Sequence, residues 1–486
     1  MRNNTDIDEN SLNMIPGGHL HFIGIGGSSM SGIAEIALHR GYRVTGSDRV
    51  DSEAVSKLRS LGAQVFVGHA AENLSEDCSL VIYTLAISDD NPEYQKATLL
   101  GIPTIERGAF LGALASEYAN VTAVAGTHGK TSTTSMLASI LIESEKDPNV
   151  HLGGIVSLFN SNVRTGSSSI FVTEACEYHE NFLHIKPEIG IILNVEAEHL
   201  DYFGNMENIV TAFNHFIAGI HKNGLLIVCA DSLPALECAK TAHCHVATYS
   251  IHSPNVPYGF TNADGEEPIH HYYAAEMNNT HQSITAGYSF VACEDGNPLE
   301  KITLHVPGKH NVSNALAAIA AARYLGCSGS GIVEGLRIFT GAGRRFDVAG
   351  TYNGAFIIND YAHHPTEIKA TIEAAHANCS GKIWSVFQPH TYSRALRFQD
   401  EFCDALKKSD HVIVTDIYAA REPFTDEISA QILCDKFKKE GIDALYLSSF
   451  DEIAAYVKEH TAPDDAVLLL GAGTVNKIAP MILNIN

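Results

Sequence analysis

One short segment constrains the fold of this chain more than any other. Residues Val121–Ala125 are apolar, the turn Gly126-Thr127-His128-Gly129-Lys130-Thr131 follows, and Ser132–Ile142 has the composition of a helix. A strand, a glycine-containing turn and a helix in this order form a phosphate-binding loop, which belongs to sheets of parallel strands. The segment therefore predicts an α/β domain that binds a nucleotide.

The loop has the residues that a triphosphate requires. Backbone amides can surround the phosphates, Lys130 can reach the β- and γ-phosphates, and the hydroxyl of Thr131 is placed for Mg²⁺. Val124 occupies the position of the first glycine in the longer form of this motif. We predict that ATP binds here, and the alternative is a turn without a ligand. The predicted ATP contacts are Gly126, Thr127, His128, Gly129, Lys130, Thr131 and Ser132.

Apolar runs alternate with helical stretches along the rest of the chain, a pattern typical of parallel sheets covered by helices. The pattern predicts three α/β domains: a Rossmann-like N-terminal domain, a central P-loop ATPase domain with a mostly parallel sheet, and a Rossmann-like C-terminal domain. The predicted bounds are 18–117, 118–341 and 342–486, after a flexible extension at 1–17. Residues Ile251–His305 interrupt the rhythm and are interpreted as an antiparallel or irregular insert.

Composition excludes several classes of protein. Acidic residues outnumber basic ones by 56 to 32, for a formal charge of −24, which argues against a nucleic acid partner. The apolar stretches are shorter than the roughly 20 residues that would span a bilayer, so no membrane insertion is expected. Residues 1–16 lack the apolar core of a secretory signal, and the ten cysteines form no C-x-x-C pair. We therefore expect a cytoplasmic protein with reduced, mostly buried thiols.

A second glycine-rich turn follows the first apolar run of the chain, at Gly24–Gly32. Glycines at such a turn let the backbone approach a diphosphate at a helix N-terminus, and Asp48 stands where a dinucleotide-binding fold places its ribose carboxylate. The third helix-facing glycine, Gly32, comes later than in the strict NAD pattern. A tight turn without a ligand is the alternative interpretation.

Two further apolar runs of the central domain end on polar residues. Ile170–Thr173 is followed by Glu174, and Ile189–Leu193 is followed by Asn194 and then His199. Ligand sites of parallel sheets collect at the carboxyl ends of the strands, so Glu174 and His199 are expected beside Lys130 as metal ligands. Alternatively, Glu174 caps a helix and His199 is a loop residue stacked on Tyr202.

Polar and cationic residues also stand at the ends of later elements. Asn311 and Asn314 lie one helical turn apart and can contact a base or ribose, or simply cap the helix. Arg344, Arg345, His390 and Arg394 follow apolar runs of the third domain and can bind phosphates or carboxylates, although exposed arginine is the ordinary alternative.

Together these motifs resemble the Mur ligase family of bacterial peptidoglycan synthesis over about His19–Ala479. The motifs that carry the resemblance are G-I-G-G-S-S-M-S-G-I-A at 24–34, A-I-S at 86–88, N-P-E at 91–93, G-T-H-G-K-T at 126–131, E-A-C-E at 174–177, N-V-E-A-E-H-L-D at 194–201, H-N-V-S-N-A-L at 310–316, G-R-R-F at 343–346, D-Y-A-H-H-P-T-E at 360–367, F-Q-P-H-T-Y-S-R at 387–394 and D-I-Y-A-A-R-E at 416–422.

The resemblance implies that L-alanine is joined to the lactyl carboxylate of UDP-N-acetylmuramate, through an acyl phosphate made with ATP and Mg²⁺. It further implies a role for each matching residue. Lys130, Glu174, His199 and Arg345 would be catalytic; Thr131, Glu174 and His199 would bind the metal; Asn311, Asn314, Arg345 and Asp360 would contact ATP; Gly24, Gly26, Gly27, Ser28, Asp48, Ala86 and Ile87 would bind the UDP-sugar; and His363, His390 and Arg394 would lie around the alanine and the carboxylate.

Other functions remain open at this point. A related recycling ligase attaches a whole murein peptide to the same sugar nucleotide, and folylpolyglutamate synthase shares the ATP domain but does not need the first glycine loop. From other classes, the first loop is compatible with an NAD-dependent oxidoreductase, and the second with a nucleotide sensor that catalyses nothing.

Overall fold

The computed structural model describes residues 17–281, 283–420 and 422–485. The predicted extension at 1–17, except for Gly17, and Arg421 of the 416–422 motif lie outside the described residues. The chain forms two compact units. The first contains the N-terminal sheet and most of the middle sheet, and the second contains the C-terminal sheet together with residues 274–292 and 300–313.

The N-terminal sheet is parallel, with strand order β3-β2-β1-β4-β5. Its central strand β1 is buried along its whole length, as expected when helices cover both faces of a sheet. Asn91 caps α3 through its side chain, and Gly101 ends that helix in a left-handed conformation. The elements are β1 (His19–Ile23), α1 (Ser28–His39), β2 (Arg43–Asp48), α2 (Glu53–Ser60), β3 (Gln64–Val67), β4 (Leu80–Tyr83), α3 (Pro92–Leu100), β5 (Thr104–Glu106) and α4 (Arg107–Ala115).

The middle sheet has strand order β15-β14-β13-β12-β11-β10-β6-β9-β7-β8. Neighbouring strands are parallel in the part of the sheet that runs from β7 to β13, in the order β7-β9-β6-β10-β11-β12-β13. β7 and β8 form an antiparallel hairpin at one edge of the sheet. The elements are β6 (Asn120–Ala125), α5 (Lys130–Glu143), β7 (Asn149–Val156), β8 (Ser161–Arg164), β9 (Ile170–Glu174), β10 (Ile189–Ile192), α6 (Leu200–Phe203), α7 (Met206–Ala218), β11 (Leu225–Cys229), α8 (Leu233–Ala239), β12 (His245–Ser250), β13 (His270–Asn279), β14 (Tyr288–Glu294), β15 (Asn297–Thr303), α9 (Lys309–Tyr324) and α10 (Gly329–Ile338).

The predicted insert at 251–305 contains β13, β14 and β15. The amide of Asp295 bonds to the carbonyl of His271 and that of Thr280 to the carbonyl of Gly287, an opposed order that identifies an antiparallel hairpin. Near its tip, His281 Nδ1 lies 3.1 Å from the carbonyl oxygen of Ala377, within the second compact unit.

The C-terminal sheet has strand order β16-β17-β21-β18-β19-β20 and is parallel except for the β16/β17 pair. Separate apolar clusters cover its two faces, one around Phe387 and Phe402 and the other around Trp384 and Leu469. The elements are β16 (Asp347–Tyr352), β17 (Ala355–Asp360), α11 (Pro365–Asn378), β18 (Ile383–Phe387), α12 (Tyr392–Arg397), α13 (Gln399–Leu406), β19 (His411–Val414), α14 (Ala430–Lys439), β20 (Ala444–Tyr446), α15 (Phe450–His460), β21 (Ala466–Leu470) and α16 (Ile478–Leu483).

The α/β class predicted from the sequence is confirmed by these three sheets. All ten cysteines are free thiols and eight of them are buried, as predicted. Across the described ranges, no helix combines the length and the apolar character needed to cross a membrane.

Candidate active site

The predicted phosphate loop connects β6 to α5. Gly126 and Gly129 both have positive φ angles, of 137° and 87°. A Cβ atom on Gly126 would lie 3.0 Å from Cβ of Leu193, and one on Gly129 would lie 2.6 Å from Oδ1 of Asn314. Glycine is therefore required at both positions, by backbone conformation and by space.

Asn194, two residues past the end of β10, fixes the path of the loop. Its carbonyl accepts from the amide of Thr127 at 3.1 Å, and its side chain accepts from the amide of His128 at 2.8 Å and donates back to the carbonyl of His128 at 3.1 Å. The amide of Glu196 also donates to Oγ1 of Thr127 at 2.9 Å. The loop conformation thus depends on the neighbouring parallel strand.

Lys130 begins α5, and its ammonium group lies against Glu177. Its Nζ is 2.9 and 3.3 Å from the two carboxylate oxygens of Glu177, and it also bonds to the carbonyls of Gly126 and Thr127, the latter at 3.1 Å. Burial lowers the pKa of Lys130, but the neighbouring acidic groups, led by the carboxylate of Glu177, more than offset this, and the pKa lies above its usual value. The lysine is therefore a fixed positive charge.

Glu174 and His199 lie near this lysine, as their strand positions predict. The carboxylate of Glu174 accepts from the amide of Gly153 at 2.8 Å and contributes to raising the pKa of Lys130. His199 Nε2 lies 3.9 Å from Oε1 of Glu177, and its ring packs against that of Tyr178 with 4.5 Å between centroids and 32° between the ring planes.

The residue that sequence reasoning missed here is Glu177. Two acidic residues three positions apart in E-A-C-E were the available signal, but Glu177 follows the end of β9 by three residues. A turn with positive φ angles at His179 and Glu180 follows it.

The donor set fits a hard divalent cation. The predicted ligands Glu174, His199 and Thr131 supply a carboxylate, an imidazole and a hydroxyl at this edge of the sheet, and Mg²⁺ prefers oxygen ligands such as the first and last of these.

Asn314, on α9, lies beside the phosphate loop because its Oδ1 limits the space at Gly129. Asn311 is on the same helix, and its amide donates to the carbonyl of Pro307 at 2.7 Å.

The N-terminal glycine turn joins β1 to α1. The amides of Gly24 and Ile25 donate to the carbonyl of Ser47 at 2.8 and 3.0 Å, and the amide of Gly26 donates to Oδ2 of Asp48 at 2.8 Å. Asp48 therefore holds the turn, whatever else it binds.

The turn after β4 lies next to this glycine turn, since a Cβ atom on Gly24 would lie 3.0 Å from Cγ2 of Thr84. Ala86 and Ile87 belong to that turn, and Ala86 is exposed. The predicted UDP-sugar residues of the two turns are thus neighbours, with Gly27 and Ser28 exposed at the start of α1.

The hairpin of β7 and β8 contacts the start of α1. Ser28 Oγ donates to the carbonyl of Gly153 at 2.7 Å, and Asn162 Nδ2 donates to the carbonyl of Ser28 at 2.5 Å. His151 Nε2 and Arg107 Nη1 lie 3.3 and 3.2 Å from Oγ of Ser29. These contacts, which no motif indicated, link the two predicted nucleotide sites.

Burial and the charge of Arg107 lower the pKa of His151 to about 4. The side chain is only 3% exposed, and its Nδ1 lies 3.2 Å from Oγ1 of Thr173. His151 is therefore a neutral hydrogen-bonding residue near neutral pH.

In the C-terminal sheet, Arg345 and Asp360 have partners of their own. Arg345 Nη1 lies 3.4 Å from Oε1 of Glu367. The Asp360 carboxylate accepts from the amides of Phe346 and Ala362 at 3.0 and 2.8 Å and from the hydroxyl of Thr371 at 3.0 Å. Burial raises the pKa of Asp360. Its geometry is that of a residue that holds the strand ends together, and its predicted ATP contact stays a prediction.

The three residues predicted around the alanine and the carboxylate form one cluster. The rings of His363 and His390 lie 5.5 Å apart, and Arg394 Nη1 is 2.9 Å from Nδ1 of His390. His390 stacks on Tyr418 at 5.7 Å, and the carboxylate of Glu422 accepts from the amides of Tyr392 and Ser393. Sequence reasoning did not single out Tyr418 or Glu422, although both stand in the 416–422 motif.

Family models match the chain in three consecutive parts. A model of the Mur ligase family, catalytic domain, matches residues 19–119, one of the Mur ligase middle domain matches residues 124–322, and one of the Mur ligase, glutamate ligase domain matches residues 344–473.

Individual relatives match over nearly the full length. UDP-N-acetylmuramate–L-alanine ligase of Acetivibrio thermocellus is 44% identical over 96% of this chain and 95% of its own. The crystal structure of UDP-N-acetylmuramate-alanine ligase from Thermotoga maritima matches with a TM-score of 0.77 and 28% identity, covering 96% of this chain and 98% of that one. A murein peptide ligase from Psychrobacter arcticus shares the fold, with a TM-score of 0.68 and 24% identity over 96% of this chain and 98% of that one.

Proposed function

Because this chain belongs to the Mur ligase family, we propose that it joins L-alanine to the lactyl carboxylate of UDP-N-acetylmuramate and converts ATP to ADP and phosphate. The observation that carries the choice of substrates is the full-length similarity to the UDP-N-acetylmuramate–L-alanine ligase of A. thermocellus. The product is a precursor of the bacterial cell wall.

The phosphate loop is the proposed ATP site. Its glycines let backbone amides approach the phosphates at the positive end of α5. Lys130 supplies a positive charge, because its raised pKa keeps the amine protonated at neutral pH. The turn at Gly24–Ser28, at the start of α1, offers a second helix N-terminus to the diphosphate of the sugar nucleotide. Each nucleotide thus has its own loop.

Thr131, Glu174 and His199 are proposed to hold Mg²⁺. When bound, the ion neutralises phosphate charge, so that an anionic carboxylate can approach phosphorus. Lys130 provides the same neutralisation from the protein side.

The reaction has two balanced steps. A lactyl carboxylate oxygen forms a bond to the γ-phosphorus, the bond from that phosphorus to the β,γ-bridging oxygen breaks, and ADP leaves. The amine of alanine then attacks the acyl carbon, loses a proton, and expels phosphate to leave the amide. His363, His390 and Arg394 are proposed to bind the alanine, because an arginine and two imidazoles suit a carboxylate and a departing proton. The assignment of Arg345, Asp360, Asn311 and Asn314 to ATP rests on the sequence motifs.

Phosphate release tests the proposal. Purified protein with Mg²⁺ should release phosphate only when ATP, UDP-N-acetylmuramate and L-alanine are all present. Equal release without the sugar nucleotide would contradict the proposal. Glycine, L-serine and a murein tripeptide should be tested as acceptors, since clear preference for the tripeptide would identify a recycling ligase instead.

Lys130→Ala separates the two nucleotide sites. Turnover should be lost while UDP-N-acetylmuramate still binds, because Lys130 belongs to the phosphate loop and not to the turn at Gly24–Ser28. Loss of both would mean that the two sites are wrongly assigned. We also place the reaction in the cytoplasm, where ATP is available and free thiols such as the ten in this chain persist.

A further inference from the structure

Glu177 is the acidic residue in closest contact with the proposed catalytic lysine, and none of the roles described above requires it. Its side chain is 4% exposed and that of Lys130 is 15% exposed, so the ion pair is largely removed from water. A buried charge pair of this kind is costly to break one partner at a time.

All hydrogen atoms of the Lys130 ammonium group have acceptors within the chain. An ammonium group has three donors, and here they serve the carbonyls of Gly126 and Thr127 and the carboxylate of Glu177. A γ-phosphate oxygen therefore has to replace one of these acceptors before Lys130 can bind it.

The two carbonyls are poorly suited to move. They belong to the loop that Asn194 holds by three hydrogen bonds, and Gly126 is confined by Leu193. The carboxylate of Glu177 is on a side chain with rotatable bonds, and its negative charge would repel an arriving phosphate. It is the acceptor that exchange would displace.

We propose that Glu177 is a positioning residue that holds Lys130 in the nucleotide-free enzyme and yields it to the γ-phosphate of ATP. The inference rests on the proposed ATP site. Two anions cannot share one desolvated ammonium group without repulsion, so ATP binding includes the free energy of breaking the Lys130–Glu177 pair.

The surroundings of Glu177 restrict this exchange to its side chain. The amide of Glu180 donates to the carbonyl of Glu177 at 2.8 Å, and that of Phe182 donates to the carbonyl of Cys176 at 3.0 Å. These bonds hold the backbone at Cys176 and Glu177 in place, so the carboxylate of Glu177 leaves Lys130 by rotation about its side-chain bonds. The imidazole of His199, 3.9 Å from Oε1 of Glu177, lies within reach of the displaced carboxylate.

Isothermal titration calorimetry with ATP and with ADP tests the proposal, using the full chain without sugar nucleotide or alanine. Removing the competing charge in Glu177→Gln should tighten ATP binding by about tenfold, close to the effect of one hydrogen bond to a charged group. ADP, which has no γ-phosphate, should gain less than about threefold. In a Lys130→Ala background, Glu177→Gln should leave both affinities unchanged.

Glu180→Gln is the matched control. It changes the same charge three residues away, where the carboxylate bonds to the hydroxyl of Tyr202 at 3.1 Å, and ATP affinity should stay at the wild-type value. Glu177→Asp keeps the charge but shortens the reach, and an intermediate gain is expected. This variant carries the test if Glu177→Gln does not fold, as judged by circular dichroism.

Wild-type or weaker ATP binding by Glu177→Gln would overturn the proposal. Weakening seen with Mg²⁺ but not with EDTA would make Glu177 a metal ligand instead, which also overturns it. The assay needs no ligation. Failure of the wild-type enzyme to couple alanine would refute the proposed substrates, whereas an unchanged ATP affinity would refute only the exchange at Lys130.

Discussion

Gly129→Ala tests whether the left-handed turn before α5 is required for nucleotide binding. Gly129 has a φ of +87°, and an added Cβ atom would lie 2.6 Å from Oδ1 of Asn314 and 3.2 Å from Cδ1 of Leu193. The left-handed conformation costs alanine about 1–2 kcal/mol. Overlap in a packed site adds about 1–3 kcal/mol. We expect Gly129→Ala to lower the free energy of unfolding by about 2–5 kcal/mol in total, and a shift of the loop would relieve part of the overlap.

Gly101→Ala is the control because it separates strain from overlap. Gly101 ends α3 with a φ of +68°, and no atom lies within 4 Å of an added Cβ. Gly101→Ala should therefore lower the free energy of unfolding only by the cost of the left-handed backbone conformation, about 1–2 kcal/mol, and leave ATP binding unchanged.

Thermal unfolding and titration with ATP provide the two measurements. Gly129→Ala should lower the melting temperature more than Gly101→Ala and weaken ATP binding by about tenfold or more, since a loop shift of a few tenths of an ångström misplaces the amides that bind phosphate. Wild-type ATP affinity in Gly129→Ala would show that the left-handed turn is not required for nucleotide binding. Equal destabilisation by the two substitutions would also contradict the prediction, because the contact with Asn314 would then cost nothing.

Three other side chains, those of His151, Asp360 and Glu422, have contacts whose loss can be measured. A histidine in the unfolded chain titrates near pH 6.5, but the pKa of His151 in the folded chain is lowered to about 4. The stability of the fold should therefore decrease as the pH drops from about 6.5 to about 4, because in this range only the unfolded chain binds the proton. His151→Gln should flatten this part of a plot of melting temperature against pH. Asp360→Asn should lower the free energy of unfolding in urea by about 1–3 kcal/mol. In the wild-type chain both carboxylate oxygens accept from backbone N–H groups, and in the variant the NH₂ group of Asn would face one of these N–H groups, which would lose its acceptor. Glu422→Gln should raise the KM for L-alanine by roughly tenfold and leave the KM for ATP unchanged in phosphate-release assays, because its carboxylate orders the turn at Tyr392–Ser393.

A specific result would contradict each of the predictions for His151, Asp360 and Glu422. An imidazole of His151 that titrates near pH 6.5 by NMR would remove the basis of the first. Asp360→Asn with wild-type stability but weakened ATP binding would favour a direct contact with the nucleotide. A Glu422→Gln enzyme whose KM changes equally for ATP and alanine would show that the turn at Tyr392–Ser393 does not act on the acceptor alone.

Local sequence patterns were sufficient for the framework of strands and helices. The apolar runs Val121–Ala125 and Ile170–Thr173 lie within strands that are one residue longer. Except at one end, β6 and β9 are buried along their length, so their sequences are nearly continuous apolar runs that differ sharply from the turns. Helix starts were less accurate: the helix predicted from Ser132 begins at Lys130, because polar residues occupy its first turn.

Contacts between residues distant in sequence were beyond this reasoning. The spacing of E-A-C-E does not tell which carboxylate meets Lys130, because Glu177 lies three residues beyond the end of β9, where the strand pattern no longer sets the direction of a side chain. Likewise, nothing local in H-H-P or S-S-M indicates that Asp360 is satisfied by backbone amides or that Ser29 meets His151.

The short form of the phosphate loop follows from where the strand ends. In the longer motif a glycine stands at the position of Val124, but here Val124 is fully buried and paired with Glu174 of β9 and Ile191 of β10. The sheet therefore continues through Ala125, and only Gly126–Gly129 remain to form the turn. A turn this short has few bonds of its own, which explains why Asn194 holds it from the next strand. The same pairing places Glu174 at the level of the loop, so the missing glycine and the position of the acidic residue have one structural cause.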